Sequence, residues 1–272
     1  MRYGFLFPGQ GSQFPGMGRD LAAAFPEARQ VFEEADEALA FSLSDLCWNG
    51  SVEQLALTEN TQPAILTHSV ATYRVLASLG APVPAAVAGH SLGEYSAHVA
   101  AGTLEFADAV QAVRSRGRFM QEAVPVGAGA MAAIIGFEPD QVEEVCREAA
   151  GEEVVSAANW NSPGQVVVAG HAGAVSRALE LARKRGARKA VPLPVSAPFH
   201  CSLMEPAAER LGEVLAAMRF SDPAMPVFAN VDASAVTTGA RAREALLQQV
   251  CAPVRWIDTI PGMINAGVES FV

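Results

Sequence analysis

The chain has 272 residues, of which half are apolar and 18% are charged, and its formal net charge at pH 7 is −10. This composition allows a substantial buried core and excludes an intrinsically disordered chain. The acidic balance argues against nonspecific nucleic-acid binding, which depends on Lys and Arg contacts to phosphate. A transmembrane helix needs an unbroken apolar stretch of about 18 residues or more, and the sequence contains none. We therefore expect neither a nucleic-acid partner nor a membrane partner.

The cysteines indicate a reducing compartment. Four occur in the chain, and none forms a CxxC pair or a close His/Cys cluster: Cys47, Cys146, Cys201 and Cys251. In a chain of this length, such spacing favours neither a disulfide framework nor a structural zinc site. We expect a cytoplasmic protein without a bound metal.

A group of five basic residues interrupts the acidic composition: Arg183, Lys184, Arg185, Arg188 and Lys189. A run of like charges is most often a solvated helix end. The alternative is a contact surface for an acidic partner, since such contacts depend on local patches rather than on net charge.

The first 123 residues alternate between strand and helix patterns. An apolar run at 3–7 stops at Pro8-Gly9 and predicts a buried strand that leads into a Gly-rich turn. Spaced apolar residues predict helices over 19–40, 62–79, 94–101 and 106–123, and a short apolar run predicts a strand over 85–88. Pro63 suits the first turn of the second of these helices.

Residues 124–196 differ in character from the segments on either side. The predicted strands cover 130–135, 154–158, 165–169 and 189–193, and the predicted helices cover 139–150 and 173–185. The resulting order, βαββαβ, is that of a ferredoxin-like unit. We therefore expect an inserted ferredoxin-like subdomain at 124–196, within a catalytic α/β subdomain formed by 1–123 and 197–272.

The last part of the chain returns to the larger subdomain. The pattern predicts a helix over 205–218, a strand over 227–231, a helix over 241–250 and the start of a strand at 270–272. The expected fold class is α/β, with a parallel sheet that resembles that of an α/β-hydrolase.

The segment Gly89-x-Ser91-x-Gly93 has the form of a nucleophile elbow. In such an elbow the serine lies on a sharp strand-to-helix turn, and the flanking glycines avoid clashes with the neighbouring strand and helix. The helix that follows directs backbone N–H groups and a partial positive charge at the turn, where they stabilise an oxyanion. The pattern alone fits a capping serine in a tight turn equally well. The predicted strand before it and helix after it favour the elbow.

A serine hydroxyl needs an adjacent base to act as a nucleophile. The chain has five histidines, and His200 stands out because it ends a proline-containing connection after a predicted strand. Loops at strand ends are where α/β folds place catalytic groups. A lone loop histidine is nevertheless more often structural, so the residue types alone leave both interpretations open.

Four motifs occur in an order that resembles a known family: Phe7-Pro8-Gly9-Gln10-Gly11-Ser12-Gln13, Gly89-His90-Ser91-Leu92-Gly93-Glu94-Tyr95, Arg116 within 114–121, and Ser196-Ala197-Pro198-Phe199-His200. The chain resembles malonyl-CoA:acyl-carrier-protein transacylase of type II fatty acid synthesis, and it is similar to the acyltransferase domains of polyketide synthases. The likeness runs from residue 3 to the end and includes Asn161-Ser162-Pro163-Gly164-Gln165 and Gln249.

The resemblance implies roles for individual residues. Ser91 and His200 would form a catalytic dyad, with a main-chain carbonyl near Gln249 orienting the histidine. The backbone N–H groups of Gln10 and Leu92 would form the oxyanion hole.

The resemblance also implies the substrate contacts. Arg116 would clamp the malonyl carboxylate, which a planar guanidinium grips with two charge-assisted hydrogen bonds. The alternative from the residues alone is an exposed helix arginine, one of Arg114, Arg116 and Arg118. Phe199 would crowd the space of an α-methyl group, and Asn161 and Gln249 would belong to the substrate site.

The implied activity is transfer of malonyl from malonyl-CoA to acyl carrier protein by a ping-pong mechanism through a Ser91 ester. Malonyl-CoA and the carrier would be the partners, with the coenzyme A thioester as substrate and no permanently bound cofactor. One alternative is a serine thioesterase or esterase with the same elbow, for which Asp108 and Asp140 are available as acidic triad members. A second is a noncatalytic docking module. Family members continue past a segment like Glu269–Val272, whereas every catalytic position here lies before it.

Overall fold

The computed structural model describes residues 1–195 and 197–272, so Ser196 of the last motif lies outside the described residues. The strands in these ranges are β1 (Tyr3–Phe7), β2 (Ala86–Gly89), β3 (Gly129–Ile135), β4 (Val155–Ser162), β5 (Gln165–His171), β6 (Lys189–Pro192), β7 (Val227–Phe228), β8 (Ala235–Val236) and β9 (Ser270–Phe271). The helices are α1 (Arg19–Ala24), α2 (Pro26–Leu39), α3 (Leu43–Asn49), α4 (Val52–Ala56), α5 (Thr58–Ser78), α6 (Gly93–Ala100), α7 (Phe106–Glu122), α8 (Pro139–Ala150), α9 (Ala172–Lys184), α10 (Glu205–Ala217), α11 (Gly239–Gln249) and α12 (Trp256–Asn265). A short 3-10 helix covers Ser202–Met204.

The larger sheet is mixed rather than parallel throughout, which corrects the sequence-based expectation. Its strand order is β8-β7-β2-β1-β9. The pairs β7–β2, β2–β1 and β1–β9 are parallel, but β8 runs antiparallel to β7. The connection from β7 to β8 is only six residues long. A connection this short permits an antiparallel return but not the crossover that a parallel pair requires.

The parallel pairing of β1 and β2 brings two motifs to the same edge of the sheet. Phe7 at the end of β1 is in register with Gly89 at the end of β2. The Gly-rich turn and the elbow therefore leave the sheet side by side, since the carboxyl ends of parallel strands meet at one edge. His90 N–H donates to Phe7 O at 3.0 Å and joins the two turns directly.

Residues 129–192 form a second sheet of four antiparallel strands in the order β4-β5-β3-β6. The chain order of this unit is βαββαβ. The helices α8 and α9 cover one face, where residues including Ile134, Val142, Val166 and Val175 form a buried cluster.

The opposite face of this second sheet contacts the predicted catalytic loop. Side chains alternate across a strand, so Met131 and Ala133 of β3 point away from α8 and α9. They pack with Cys201, Phe199 and Leu203. The second sheet thus supports the segment that carries His200.

Two predicted helices differ from the structure near prolines. The predicted helix over 19–40 is two helices, because Phe25 adopts an extended conformation before Pro26, which starts α2. A proline disfavours helical backbone at the residue before it. The helix predicted from Gln62 instead begins at Thr58 and carries Pro63 within it.

Three helices were not predicted from the sequence. Both α3 and α4 are short and are capped by the side chains of Ser42 and Ser51. The third, α12, contains Pro261 and Gly262, which mask its helical pattern. In the described part of the chain, no helix combines the length and the apolar character needed to cross a lipid bilayer.

Candidate active site

The strand–helix turn at Ser91 has the geometry of a nucleophile elbow. Ser91 adopts a φ of 51°, in the left-handed region that non-glycine residues rarely occupy. A Cβ at Gly89 would lie 1.9 Å from the Gly93 carbonyl carbon, and a Cβ at Gly93 would lie 2.3 Å from Phe7 O. Only glycine fits at these two positions, because each faces backbone atoms that cannot move aside. Together they permit the strained turn that exposes the hydroxyl.

His200 lies beside this hydroxyl. Its Nε2 is 2.7 Å from Ser91 Oγ, and its Nδ1 is 2.8 Å from the main-chain carbonyl oxygen of Gln249. A carbonyl can only accept a hydrogen bond, so Nδ1 carries the ring proton and Nε2 is the acceptor. This is the tautomer that a general base needs in order to remove the serine proton.

The surroundings keep His200 neutral. Its side chain is buried, and desolvation together with the Arg116 guanidinium lowers its pKa to about 3. The residue itself adopts a φ of 61°, so both members of the predicted dyad have left-handed backbone. Strain of this kind concentrates at functional sites, where the surrounding structure holds it in place.

The acidic residues that a hydrolase triad would use are elsewhere. Asp108 and Asp140 are both exposed, whereas His200 is buried. In a triad, a carboxylate accepts the hydrogen bond from the histidine Nδ1, whereas here the Gln249 carbonyl oxygen accepts it. The geometry therefore lacks the Ser-His-Asp arrangement that the hydrolase alternative requires.

Arg116 is buried rather than exposed, with 2% of its surface accessible. Its Nη1 donates to Gln62 Oε1 at 2.8 Å, and its Nη2 donates to Gln249 Oε1 at 2.8 Å and to Ser91 Oγ at 3.2 Å. Its Nε is buried and has no hydrogen-bond partner among the described residues. The guanidinium of Arg116 therefore lies beside the serine hydroxyl.

A buried polar network supports the elbow from behind. The Asn230 side chain accepts from Ser91 N–H at 2.7 Å and donates to Gly89 O at 2.8 Å. Glu94 Oε2 accepts from Asn230 N–H at 2.9 Å and from Gln249 Nε2 at 2.8 Å. Burial raises the pKa of Glu94 to about 7.

These groups open onto a cleft between the two sheets. It is lined by Gln10, Leu92 and Phe199 as well as Ser91, Arg116 and His200. The side chain of Gln249 lies behind the cleft, fully buried against Arg116. The structure thus brings six of the eight predicted site residues to one cleft.

Asn161 reaches the site indirectly. Its Oδ1 lies 2.9 Å from Nε2 of His90, which lines the cleft next to Ser91 and stacks edge-on against Trp256 with ring centroids 5.5 Å apart. His98 is fully buried on α6 and does not line the cleft.

Three contributors to this site were not identified from the sequence as site residues: Gln62, Asn230 and Glu94. Gln62 is a polar side chain on the buried face of α5, and Asn230 follows a buried strand. A buried polar residue at such a position was the available signal, because it needs partners. The sequence could not indicate which partners these would be.

Comparison with known proteins supplies the class of protein. A model of the acyl transferase domain matches residues 4–272, nearly the whole chain. The chain therefore belongs to the acyl transferase family.

The similarity extends to particular relatives. The Malonyl CoA-acyl carrier protein transacylase of Escherichia coli K12 is 52% identical over 268 residues, which is 98% of this chain and 87% of the relative. The transacylase of Bacillus subtilis is 50% identical over 98% of this chain and 84% of the relative. The chain belongs to the malonyl CoA-acyl carrier protein transacylase family.

Solved structures agree with this assignment. The malonyl CoA-acyl carrier protein transacylase of Coxiella burnetii superposes with a TM-score of 0.98 at 46% identity, covering 100% of this chain and 86% of that one. A second solved structure contains a type II PKS acyl-carrier protein in complex with its malonyl-transacylase. The matched chain of this complex superposes with a TM-score of 0.97 at 46% identity, covering 100% of this chain and 88% of that one.

Proposed function

We propose that this chain transfers a malonyl group from malonyl-CoA to the phosphopantetheine thiol of acyl carrier protein, through an ester on Ser91. The observation that carries the proposal is the buried guanidinium of Arg116, 3.2 Å from Ser91 Oγ and with an unpartnered Nε among the described residues. A neutral acyl group does not need a buried cation, whereas the free carboxylate of malonyl does. Relatives across nearly the whole chain carry the name of this activity.

The first half-reaction acylates the serine. His200 Nε2 accepts the proton of Ser91 Oγ as this oxygen attacks the thioester carbonyl carbon. The tetrahedral intermediate collapses, the bond from carbonyl carbon to sulfur breaks, and coenzyme A leaves as its thiol with the proton from His200. In the second half-reaction the carrier thiol loses its proton to His200 and its sulfur attacks the ester carbonyl carbon. The bond from this carbon to Ser91 Oγ then breaks, Ser91 Oγ takes the proton back from His200, and malonyl leaves as the thioester of the carrier.

The oxyanion of each intermediate would be held by the backbone N–H groups of Gln10 and Leu92. Within the described residues, neither N–H group makes a hydrogen bond. The Ser91 N–H is engaged by Asn230 Oδ1 and is not available. Unpaired donors fixed in place before the reaction are what stabilises charge that develops only in the transition state.

Arg116 would hold the malonyl carboxylate through Nε and Nη2, in place of its contact with Ser91 Oγ. Gln62 and Gln249 hold two further guanidinium donors and so fix its plane. Phe199 would restrict the space beside the α-carbon. Asn161 would act on the substrate site through His90.

The carrier would contact the basic group near the end of α9. Arg185 pairs with Glu144 and Glu148, and Arg183 Nη2 donates to Ala190 O, so these two are committed within the fold. Lys184, Arg188 and Lys189 are exposed and have no ion pair among the described residues. Three free cations suit an acidic partner.

The finer fold description is part of the same proposal. We assign residues 1–123 and 197–272 to an α/β-hydrolase-like catalytic subdomain and residues 124–196 to an inserted ferredoxin-like subdomain. The strand order of the second sheet, with β3 and β5 at its centre, supports this. The protein would work in the cytoplasm, where malonyl-CoA is the thioester substrate, with no permanently bound cofactor.

The test is mass spectrometry of the protein mixed with malonyl-CoA and quenched in acid. We expect one malonyl group per chain on the peptide that contains Ser91, and loss of this label when carrier is added. Ser91→Ala is expected to show no label. An unlabelled Ser91 peptide in the wild type, with malonyl-CoA in excess, would exclude the mechanism.

A further inference from the structure

The carboxylate of Glu94 is buried behind the candidate active site, and the proposed reaction gives it no step. It is fully buried at the start of α6, three residues after Ser91. Its Oε2 accepts two hydrogen bonds, from Gln249 Nε2 and from Asn230 N–H. Its Oε1 has no hydrogen bond in the described part of the chain and lies 3.9 Å from Nε2 of His98.

Three acceptors around Nε2 set the orientation of the Gln249 side-chain amide. Nε2 donates to Glu94 Oε2 at 2.8 Å and to Ser91 O at 3.0 Å, and it lies 3.3 Å from Asn230 Oδ1. An amide presents an oxygen on one side and an NH₂ group on the other. With Nε2 donating to Glu94 Oε2, the amide oxygen Oε1 faces Arg116 and accepts from Nη2 at 2.8 Å. The reversed amide would set two donors against each other at Arg116 and two acceptors against each other at Glu94.

The Gln249 amide in turn fixes Arg116. In the described part of the chain no carboxylate lies within 4.0 Å of this guanidinium, so its nearest negative group in the hydrogen-bond network is Glu94, one amide away. Gln62 and Gln249 accept from Nη1 and Nη2 of the guanidinium, and the buried Nε has no hydrogen-bond partner among the described residues. If the Gln249 amide were free to rotate, Arg116 would lose one of the two side-chain amide oxygens that accept its hydrogen bonds.

From these contacts we infer that Glu94 is a positioning residue: its Oε2, the nearest of the three acceptors around Gln249 Nε2, holds the amide in place, and the amide sets the guanidinium of Arg116 for an acyl group that carries a carboxylate. This inference rests on the proposed function and deepens it, because it assigns part of the selectivity for malonyl to a residue outside the cleft. Glu94 does not touch the reacting atoms.

Substitutions at Glu94 can distinguish a role as hydrogen-bond acceptor from a role that depends on its negative charge. A glutamine at this position keeps an acceptor oxygen for both donors, while a methionine of similar size keeps none. Removing the acceptor from two buried amide donors costs a free energy that corresponds to about a tenfold to hundredfold change in binding. A role based on the acceptor therefore predicts that glutamine rescues the loss, and a role based on charge alone predicts that it does not.

The experiment measures acylation of Ser91 by malonyl-CoA and by acetyl-CoA in wild type, Glu94→Met and Glu94→Gln, with rates divided by the fraction of chains that acylate. We expect Glu94→Met to lower the malonyl rate about tenfold to hundredfold and to lower the malonyl-to-acetyl ratio at least about fivefold. Glu94→Gln is expected to recover most of that ratio. Glu213→Gln, an exposed glutamate on α10, is the matched control.

A double-variant cycle tests whether Glu94 acts through Gln249. Gln249→Met removes the amide but keeps the main-chain carbonyl that contacts His200. The malonyl-to-acetyl ratio of the double variant is expected to be no lower than that of the more affected single variant, because both changes interrupt the same link. If Glu94→Met does not fold, Gln249→Met alone must lower the ratio in the wild-type background.

Three outcomes overturn the inference. They are an unchanged ratio in Glu94→Met, an unchanged ratio in Gln249→Met, and full additivity in the double variant. A wild type that forms no malonyl ester on Ser91 would instead overturn the proposed function and this inference with it. Acylation of the wild type with an unchanged ratio in the variants removes the inference alone.

Discussion

Ser91 Oγ lies 2.7 Å from His200 Nε2, although the two residues are 109 positions apart and belong to turns that leave different parts of the fold. The serine is held by the end of β2, and the histidine is held by packing of its loop on the second sheet. Each residue has a left-handed backbone conformation. Because one residue is positioned by the larger sheet and the other by the second sheet, the hydrogen bond between Ser91 and His200 depends on how the two sheets pack together.

The guanidinium of Arg116 provides the sharpest test of acyl selectivity. Replacing it with alanine removes a buried hydrogen-bond donor set, and loss of charge-assisted hydrogen bonds is expected to slow malonyl transfer by about a hundredfold or more. Transfer of acetyl, which has no carboxylate, should fall far less. Arg116→Lys should recover little, since lysine keeps the charge but not the planar fork.

Arg114 is the matched control for this experiment. It lies two residues away on the same helix, with its guanidinium 3.9 Å from the centroid of the Phe41 ring and outside the cleft. Arg114→Ala should leave the ratio of malonyl to acetyl transfer as it is. Equal loss for both acyl groups in Arg116→Ala would contradict the clamp.

Phe199 is expected to set the tolerance for an α-methyl group. It lines the cleft next to His200 and packs against the second sheet. Phe199→Ala should raise the rate with methylmalonyl-CoA relative to malonyl-CoA by about tenfold, the usual scale for one methyl group in an apolar pocket. Competition assays with both thioesters measure this ratio, and Phe199→Leu should give an intermediate value. A wild type that already uses both equally would refute the role.

The three exposed cations near α9 should affect only the second half-reaction. Charge reversal at Lys184, Arg188 and Lys189 is expected to raise the KM for acyl carrier protein and to make it less sensitive to salt. Acylation of Ser91 by malonyl-CoA should stay at the wild-type rate. Stopped-flow measurement of each half-reaction separates the two.

A charge reversal at Arg243 serves as the comparison for the basic group, since this residue is exposed on α11. It should change neither half-reaction. Loss of both half-reactions in the triple variant would indicate a folding effect and would count against a carrier contact.

The buried histidine His98 should make stability depend on pH. Burial lowers its pKa to about 3, whereas an unfolded histidine has a pKa of 6.5. Below pH 6.5 the unfolded chain therefore binds a proton that the folded chain does not, and stability falls as the pH falls. For one such group the slope is about 1.4 kcal/mol per pH unit.

Urea unfolding between pH 6 and pH 4 tests this. In His98→Leu the dependence of the unfolding free energy on pH should be shallower than in wild type by about 1.4 kcal/mol per unit. Val99→Ala, on the same helix, should shift the curve equally at every pH. Glu94, whose pKa burial raises to about 7, acts in the opposite direction in both proteins. Parallel curves for wild type and His98→Leu would refute the prediction.

Local patterns determined much of this protein. The pattern of apolar runs and glycines around Ser91 predicts the strand, the turn and the helix, because each is set by neighbouring residues. The order βαββαβ of residues 129–192 was likewise predicted from alternation and turn residues. The same reasoning was wrong at the helix of 19–40, where one extended residue before Pro26 divides the helix.

Only the tertiary structure decided the contacts that make the site. The resemblance to the family predicts that a main-chain carbonyl near Gln249 contacts His200, but nothing in the sequence indicates that the Gln249 side-chain amide bridges Glu94 and Arg116. Hydrogen bonds between residues more than 100 positions apart arise from the packing of elements, whereas local sequence specifies only the elements themselves. The sequence by itself determined the elbow and the order of the motifs, and the fold decided which polar groups meet behind them.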